Sequence, residues 1–479
     1  MEYEAIIGLE VHAQLFTRSK MFCRCQVVDS TEAEPNTCTC PVCTGMPGSL
    51  PVINRQAVEY TILTGLALNC QIAHHTFWER KSYFYPDLPK GYQISQYQFP
   101  LAYGGWVEVE VEGRRRRIGI TRAHLEEDTG KLFHRGDRSL VDFNRAGVPL
   151  LEIVSEPVIR SPEEARQYLV KLRTTLRYLG VSTGDMEKGA MRCEANVSVR
   201  PRGSREFGTK VEVKNLNSFR SVKLALEYEI ARQVRVLEDG GRVEQVTMGW
   251  DENRGHTVVQ RTKETAEDYR YFPEPDLPPL VVDEAWVEEI RSRLPELAEA
   301  KKERFIRQHG LPADLAEVLV EDRGVADYFE ACVAAYPHPK TVANWVTGEV
   351  FRLLRLHNHD IHQVPVAPAR VAELLDLVEK GDITLGMAKT VFEEMYEKGG
   401  TAAAIVEARG LAVIADQEAL APIVQRVLEE NPDAVQQYLG GKKGVLGFLI
   451  GRVMKETKGK ADPQQVRQIL SGRLEGGRP

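Results

Sequence analysis

Two short alternating runs, Ala195-Asn-Val-Ser-Val199 and Thr209-Lys-Val-Glu-Val213, constrain this chain more than any other pair of segments. Successive side chains on a strand point to opposite faces, so each run places its valines on one side and its polar residues on the other. Residues Pro201 to Arg205 suit a turn between them, and the simplest hairpin sets residue 194 opposite residue 212. Val197, Val199, Val211 and Val213 then form a buried face, while Glu194, Asn196, Glu212 and Lys214 share the other. Carboxylates placed directly opposite each other repel unless something compensates them. A bound cation would do so, and so would a lysine bridge from Lys210 or Lys214.

Other segments of the first half follow the same rule. Leu9, Val11, Ala13 and Leu15 share one face of a strand over Ala5 to Leu15, leaving Glu10, His12 and Gln14 on the other. Trp106 to Glu112 alternates, and Arg114 to Thr121 returns after Gly113 as a hairpin whose arginines read as a solvated strand end. Ser161-Pro-Glu-Glu164 has the form of a capping box with proline in the first turn, opening a helix that Gly180 closes. Leu169, Leu172, Leu176 and Leu179 give that helix its apolar stripe. A second helix spans about Ser221 to Asp239 and stops at Gly240-Gly241. Lys81 to Gln96 is different. It carries aromatic rings, Pro86, Pro89 and Gly91 but no helical or strand period, and reads as a shaped loop lining a site.

The chain has 479 residues, enough for two to four domains, and a net charge of -7. No apolar run reaches the roughly 18 residues of a membrane span, and the N-terminus lacks a signal-peptide pattern, so a cytoplasmic protein without a membrane segment is expected. Cysteines in that setting are seldom disulfides. Cys23-x-Cys25 and Cys40-x-x-Cys43 have the spacing of a tetrahedral thiolate site, so these four are candidate ligands of a structural zinc, with Cys38 spare. Free thiols on a loop are the alternative. Glu10 and His12 on one strand face, and the His124-Leu-Glu-Glu127-Asp128 run, add to Glu194 and Glu212. Carboxylates with one imidazole suit magnesium or manganese better than zinc. The sequence holds no P-loop, no dinucleotide-binding glycine motif and no nucleophile elbow.

Eight ordered motifs carry a resemblance. They are Gly8-Leu-Glu-Val-His12, the Lys81–Gln96 segment, His124 to Gly130, Asp142-Phe-Asn-Arg-Ala-Gly-Val-Pro149, Leu151 to Pro157, Arg192 to Arg200, Glu212 to Phe219 and Asp268 to Pro275. On these the whole chain resembles the B subunits of bacterial aspartyl/glutamyl-tRNA amidotransferases. The resemblance implies ATP- and magnesium-dependent phosphorylation of the side-chain carboxylate of misacylated Glu-tRNA(Gln), Asp-tRNA(Asn) or both. Ammonia then displaces the phosphate. It also implies an amidase-fold A subunit that makes the ammonia, and a small C subunit. His12, Glu127 and Glu212 would hold magnesium with Glu10 and Glu194 beside them, and Lys81 would steady developing charge. Many relatives have Asp at the position of Glu194, whose longer arm alters its reach. Glu10, Glu127 and Lys81 are thus the candidate catalytic residues, and Glu194 joins His12, Glu127 and Glu212 as a candidate metal ligand.

The fold class expected is α+β. A strand-rich cradle domain over residues 1–292, with a zinc knuckle near 23–43, precedes an all-helical domain over 293–400 and a small helical tail over 401–479. From Gly441 to the end there are nine Lys or Arg against three Asp or Glu, in an otherwise acidic chain. Lys442, Lys443, Lys455, Lys458 and Lys460 are therefore candidate tRNA contacts. The competing function is a non-catalytic, zinc-containing tRNA-binding adaptor whose carboxylates form a salt-bridge network. An archaeal E subunit would share the cradle but needs an insertion for which this length leaves no room.

Overall fold

The computed structural model describes residues 2–262, 269–411, 417–457 and 460–475. The chain divides into two compact units, Met1–Ala298 and Glu299–Pro479. Strands dominate the first, and the regular structure described in the second is helical, so the fold is α+β.

In chain order the elements that build the site are β1 (Tyr3–Gln14), α1 (Arg55–Ala67), β2 (Gln71–Ile72), β3 (Glu79–Ser82), β4 (Tyr92–Ser95), β5 (Ala102–Val111), β6 (Arg114–Glu127), β7 (Pro149–Ser155), α2 (Pro162–Leu179), β8 (Met191–Pro201), β9 (Val211–Leu216), α3 (Phe219–Glu238), β10 (Val246–Asp251), β11 (His256–Thr262) and β12 (Phe272–Pro273). Nine of the strands form one sheet in the order β11-β10-β9-β8-β1-β7-β6-β5-β2. Only β9 and β10 pair in parallel within it; the described neighbours are otherwise antiparallel. A small sheet, β12-β3-β4, lies beside β6.

The period-2 pattern decides which face is covered. Leu9, Val11 and Ala13 of β1, Leu151 and Ile153 of β7, and Val197, Val211 and Val213 are all buried in one core with α1, α2 and α3. Leu169, Leu172, Leu176 and Leu179 of α2 supply its other wall, each leucine being worth roughly 1.5–3 kcal/mol when fully buried. The opposite face of the sheet carries the even-numbered residues of β1, including Glu10 and His12. Ser161 caps α2 by accepting from the Glu164 amide, and Gly180 ends the helix at φ 68°. The capping box is incomplete, because the Glu164 carboxylate accepts from the Arg160 amide and pairs with Arg116 instead.

Three local expectations change. The 194–212 hairpin register is displaced by two residues: Asn196 faces Glu212, and a bulge lies between Cys193 and Ala195. The cause is β1, which holds β8 extended as far as Pro201 and so lengthens the connection to β9. Parity survives the shift, so the same side chains still share a face. The return strand expected to end at Thr121 continues to Glu127, because β7 pairs along that whole extension. The ends of the Lys81–Gln96 segment are strands, with Lys81 opposite Gln93; Pro86, Pro89 and Gly91 all fall in the connecting turn, where their backbone limits cost nothing.

In the second unit, Leu420, Val424, Val427, Leu449, Val453, Val466 and Leu470 form a core of their own among the last helices. No described helix of the chain is long and apolar enough to cross a membrane.

Candidate functional site

Register across three neighbouring strands builds the centre of the site. His12 on β1 lies opposite Glu152 on β7, and Glu152 lies opposite His124 on β6. Glu126 follows His124 at the strand's period of two, on the same face. One Glu152 oxygen is 3.4 Å from the Nε2 of both His12 and His124, and His124 Nε2 is also 3.4 Å from Glu126 Oε1. The ligand atoms of His12, Glu126 and Glu152 all lie within 4.8 Å of one another.

His124, Glu126 and Glu152 are buried and His12 is half-buried, which makes their charges matter. Burial raises a carboxyl's pKa, yet His124 and His12 outweigh it and hold Glu152 well below the ordinary range. Burial likewise opposes the charged form of His124, but Glu152 and Glu126 raise its imidazole to about 9. Glu126 is oriented by Gln93 Nε2 at 2.9 Å and Ser95 Oγ at 2.7 Å. Lys81, on β3, sits over the Tyr269 ring at 5.0 Å; burial opposes its charge, but Glu126, Tyr271 and Glu152 push its pKa up. Tyr97 and Tyr271 stack at 4.6 Å to complete an aromatic wall.

A second acidic group continues the face across β1, β8 and β9. Glu10 lies opposite Glu194, and Glu212 is on the next strand. Lys214 Nζ is 3.0 Å from Glu194 and 3.6 Å from Glu212, so a lysine bridge answers their repulsion. Thr247 Oγ1 donates to Glu212, and Asn196 Nδ2 donates to Glu10 Oε1. Burial, then the neighbouring Glu152 and Glu194, raises the Glu10 pKa. Arg192, opposite His12, donates to the buried Asp128 at 2.8 Å.

Of the residues singled out from sequence, His12 is brought into the central cluster, Lys81 and Glu10 flank it, and Glu194 and Glu212 lie in the second group. Glu127 is not brought into the cluster. Strand alternation that turns His124 and Glu126 toward the site turns Leu125 and Glu127 away, and Glu127 pairs with Lys90 and accepts from the Ile94 amide. Sequence reasoning noted the run from His124 to Asp128 without assigning a role to His124 or Glu126, and it did not single out Glu152. The signal for Glu152 was a single carboxylate inside the apolar run Pro-Leu-Leu-Glu-Ile-Val, a buried charge that needs partners.

The cysteines form a separate group. The sulfurs of Cys23, Cys25, Cys40 and Cys43 lie within 4.8 Å of one another. The Cys40 amide donates to Cys43 Sγ, and the buried Lys20 Nζ is 3.6 Å from the same sulfur. A hydrogen bond from Cys23 outweighs burial and, with Lys20, lowers the Cys43 thiol to about 4. Four soft donors with one thiolate already favoured suit a tetrahedral metal such as zinc. Cys38 lies outside the group, its amide held by Asn144.

In the tail, Lys442, Lys443 and Lys455 are exposed. Lys460 is half-buried and donates to the Gly410 carbonyl at 2.7 Å. Lys458 lies outside the described residues.

The family model described as the GatB/GatE catalytic domain matches residues 5–288, and that described as the GatB domain matches residues 327–474. The B subunit of an aspartyl/glutamyl-tRNA(Asn/Gln) amidotransferase from Moorella thermoacetica is 57% identical over 478 residues, covering 99% of this chain and 100% of the relative. Proteins of the same name from Caldanaerobacter subterraneus subsp. tengcongensis and Carboxydothermus hydrogenoformans are 56% and 53% identical, over 99% of this chain and 100% and 99% of theirs.

Proposed function

Since the chain belongs to the family of aspartyl/glutamyl-tRNA(Asn/Gln) amidotransferase B subunits, we propose that its sheet face activates the side-chain carboxylate of a misacylated tRNA. The protein is a component of a ligase-type amidotransferase. The observation that carries the finer reading is the convergence of His12, Glu126 and Glu152 within 4.8 Å, with Lys81 beside them.

The chemistry follows from the leaving group. Ammonia cannot displace oxide from a carboxylate, so an oxygen of the glutamyl or aspartyl side chain first attacks the γ-phosphorus of ATP. The new O–P bond forms as the bond to ADP breaks. Ammonia then attacks the acyl carbon and inorganic phosphate leaves. Such transfers need positioned positive charge more than covalent help. His12, Glu126 and Glu152 would hold magnesium, which when bound neutralises charge on the phosphate oxygens. Lys81 is placed to meet developing charge on the phosphoryl or carboxylate oxygens. Glu10, Glu194 and Glu212 border the cluster on the β8 side, with Lys214 offsetting the last two. Gln93 and Ser95 fix Glu126.

The four cysteines would hold a structural zinc, with no open position for chemistry. An amidase-fold A subunit would make ammonia from glutamine, and a small C subunit would complete the complex. Lys442, Lys443 and Lys455 would contact the tRNA backbone, while Lys460 is engaged by the fold. The adaptor reading is favoured by one observation, the Lys214 bridge, which stabilises Glu194 and Glu212 without a metal.

The test is phosphorylation of Glu-tRNA(Gln) and Asp-tRNA(Asn) by the assembled complex with and without ATP and magnesium. His12→Ala and Glu152→Gln should lose it while glutamine hydrolysis continues. ATP-independent amidation, or full activity in both variants, would leave the adaptor reading standing.

A further inference from the structure

Lys20 is wholly buried, which for a lysine calls for a partner of opposite charge. Lys301, the other buried lysine among the described residues, has two such partners, Asp327 at 2.8 Å and Glu330 at 2.7 Å. Among the described residues no carboxylate is paired with Lys20. Its ammonium donates instead to Cys43 Sγ at 3.6 Å and to the Phe143 carbonyl at 3.2 Å. Glu127, across Gly147, is taken by Lys90. We propose that Lys20 is the counter-charge of the cysteine site, a positioning residue that offsets the thiolates and orients one of them toward the metal. The proposal rests on the zinc reading above.

The charge of such a site supplies the reason. A divalent ion held by four thiolates keeps a net double negative charge. Enclosing that charge is costly unless neighbouring groups offset it. Cys23, Cys25 and Cys40 are half-buried, so water reaches their side of the cluster. Cys43 is the one of the four that is buried, and the offsetting groups converge on it. Lys20 brings a full positive charge to that sulfur, and the Cys40 amide donates to it at 3.2 Å. Outer partners of this kind set both the direction of a ligand's lone pairs and its basicity.

The chain fixes the ammonium from both ends of the residue. The Lys20 amide donates to the Cys25 carbonyl at 2.9 Å, which closes the Cys23–Cys25 turn on Lys20 itself. Its own carbonyl accepts from Asn54 Nδ2 at 3.2 Å. The stem then crosses Gly147, where an added Cβ would stand 3.6 Å from Lys20 Cδ and 3.4 Å from Cys43 Cβ. Gly147 has φ 84°, a conformation that favours glycine, so the backbone there lies close beneath the stem. The Phe143 carbonyl holds the tip. Lys20 thereby ties the cysteine site to the 143–147 segment, which lies far from it in sequence.

Lys20→Met keeps the stem and removes the charge. Lys20→Gln also removes the charge but leaves a neutral N–H donor, so a folding failure of the first leaves the second to be read. Both would be prepared in the full-length chain, with melting temperatures checked, and loaded with zinc or, separately, with cobalt. The zinc dissociation constant, measured by competition with a chelator, should rise about 10–100-fold. The thiolate-to-cobalt charge-transfer absorption should move to longer wavelength, because a sulfur that loses its charged donor gives up electron density more easily. Zinc affinity within twofold of the unaltered protein in a variant that folds would overturn the proposal. A loss of affinity with the cobalt absorption unmoved would overturn it too, since Lys20 would then act only by packing. If the unaltered chain takes up neither metal, the zinc reading falls with it; if it takes up both and the variants do not differ from it, only the role of Lys20 falls.

Discussion

The two groups of donor atoms in the first unit are assembled in opposite ways. Cys23, Cys25, Cys40 and Cys43 come from one stretch of chain folded back on itself, with no regular element longer than a turn between them. His12, Glu126 and Glu152 come from three strands that are neighbours only because the sheet pairs them. The first group needs little of the fold, and a metal bound there would give stability back to it. The second depends on the register of β1, β7 and β6, and under the proposed function it would contribute chemistry. A group held by local chain should therefore fail as a unit of folding, whereas a group held by register should fail in activity with the fold intact.

The largest effect expected is in the register-built group. Glu152→Ala removes the residue shared by His12 and His124, and carboxylate phosphorylation should fall by ~10³-fold or more, about 4 kcal/mol of barrier. The melting temperature should change far less than activity, and zinc content not at all. Comparable losses in zinc and activity would erase the distinction between the two groups.

Cys43→Ser should show the reverse. It removes the thiolate that Cys23, Cys40 and Lys20 all address. Elemental analysis should find the zinc lost, and the melting temperature should fall at roughly 2–4 °C per kcal/mol of lost metal-linked stability. Residual activity at low temperature, with ordinary ATP dependence, is expected. A variant that keeps both metal and stability would remove the cysteines from any structural role.

The smallest effect concerns the tail, where charge rather than geometry made the case. Neutralising Lys442, Lys443 and Lys455 together should weaken tRNA binding and flatten its logarithmic salt slope by about two, given ~0.7–0.9 per phosphate contact. Adding Lys460 to the set should cost stability more than affinity, since it is bonded to Gly410. Unchanged affinity and slope would mean a solvated basic face.

The same contrast explains what was legible in the sequence. The helix over 162–179 was readable because its cap, apolar stripe and terminal glycine are all local. The Cys-x-Cys and Cys-x-x-Cys spacing was readable for the same reason. Glu10 and His12 were found because β1 alternates without interruption. Glu127 was named from the family resemblance, and Glu126 was not separated from it because parity can be counted only along a strand. The strand was expected to stop at Thr121, and the pairing with β7 that carries it to Glu127 involves residues distant in sequence. Glu152 was hidden for a related reason: a lone carboxylate in an apolar run has no local partner, and its two histidines arrive on other strands. The displaced register of β8 and β9 is again a long-range effect, imposed by β1. The Lys90 pairing with Glu127, and the bond from Asn196 to Glu10, had no local signature at all.

We propose that the metal-holding face is set by strand register and contains Glu126 in place of Glu127. Manganese binding to the full-length chain, followed by electron paramagnetic resonance, addresses it without relying on turnover. Glu126→Gln and His12→Ala should each weaken manganese binding by at least tenfold, whereas Glu127→Gln should remain within threefold of the unaltered protein. Loss of binding in Glu127→Gln with retention in Glu126→Gln would instead place the metal on Glu127.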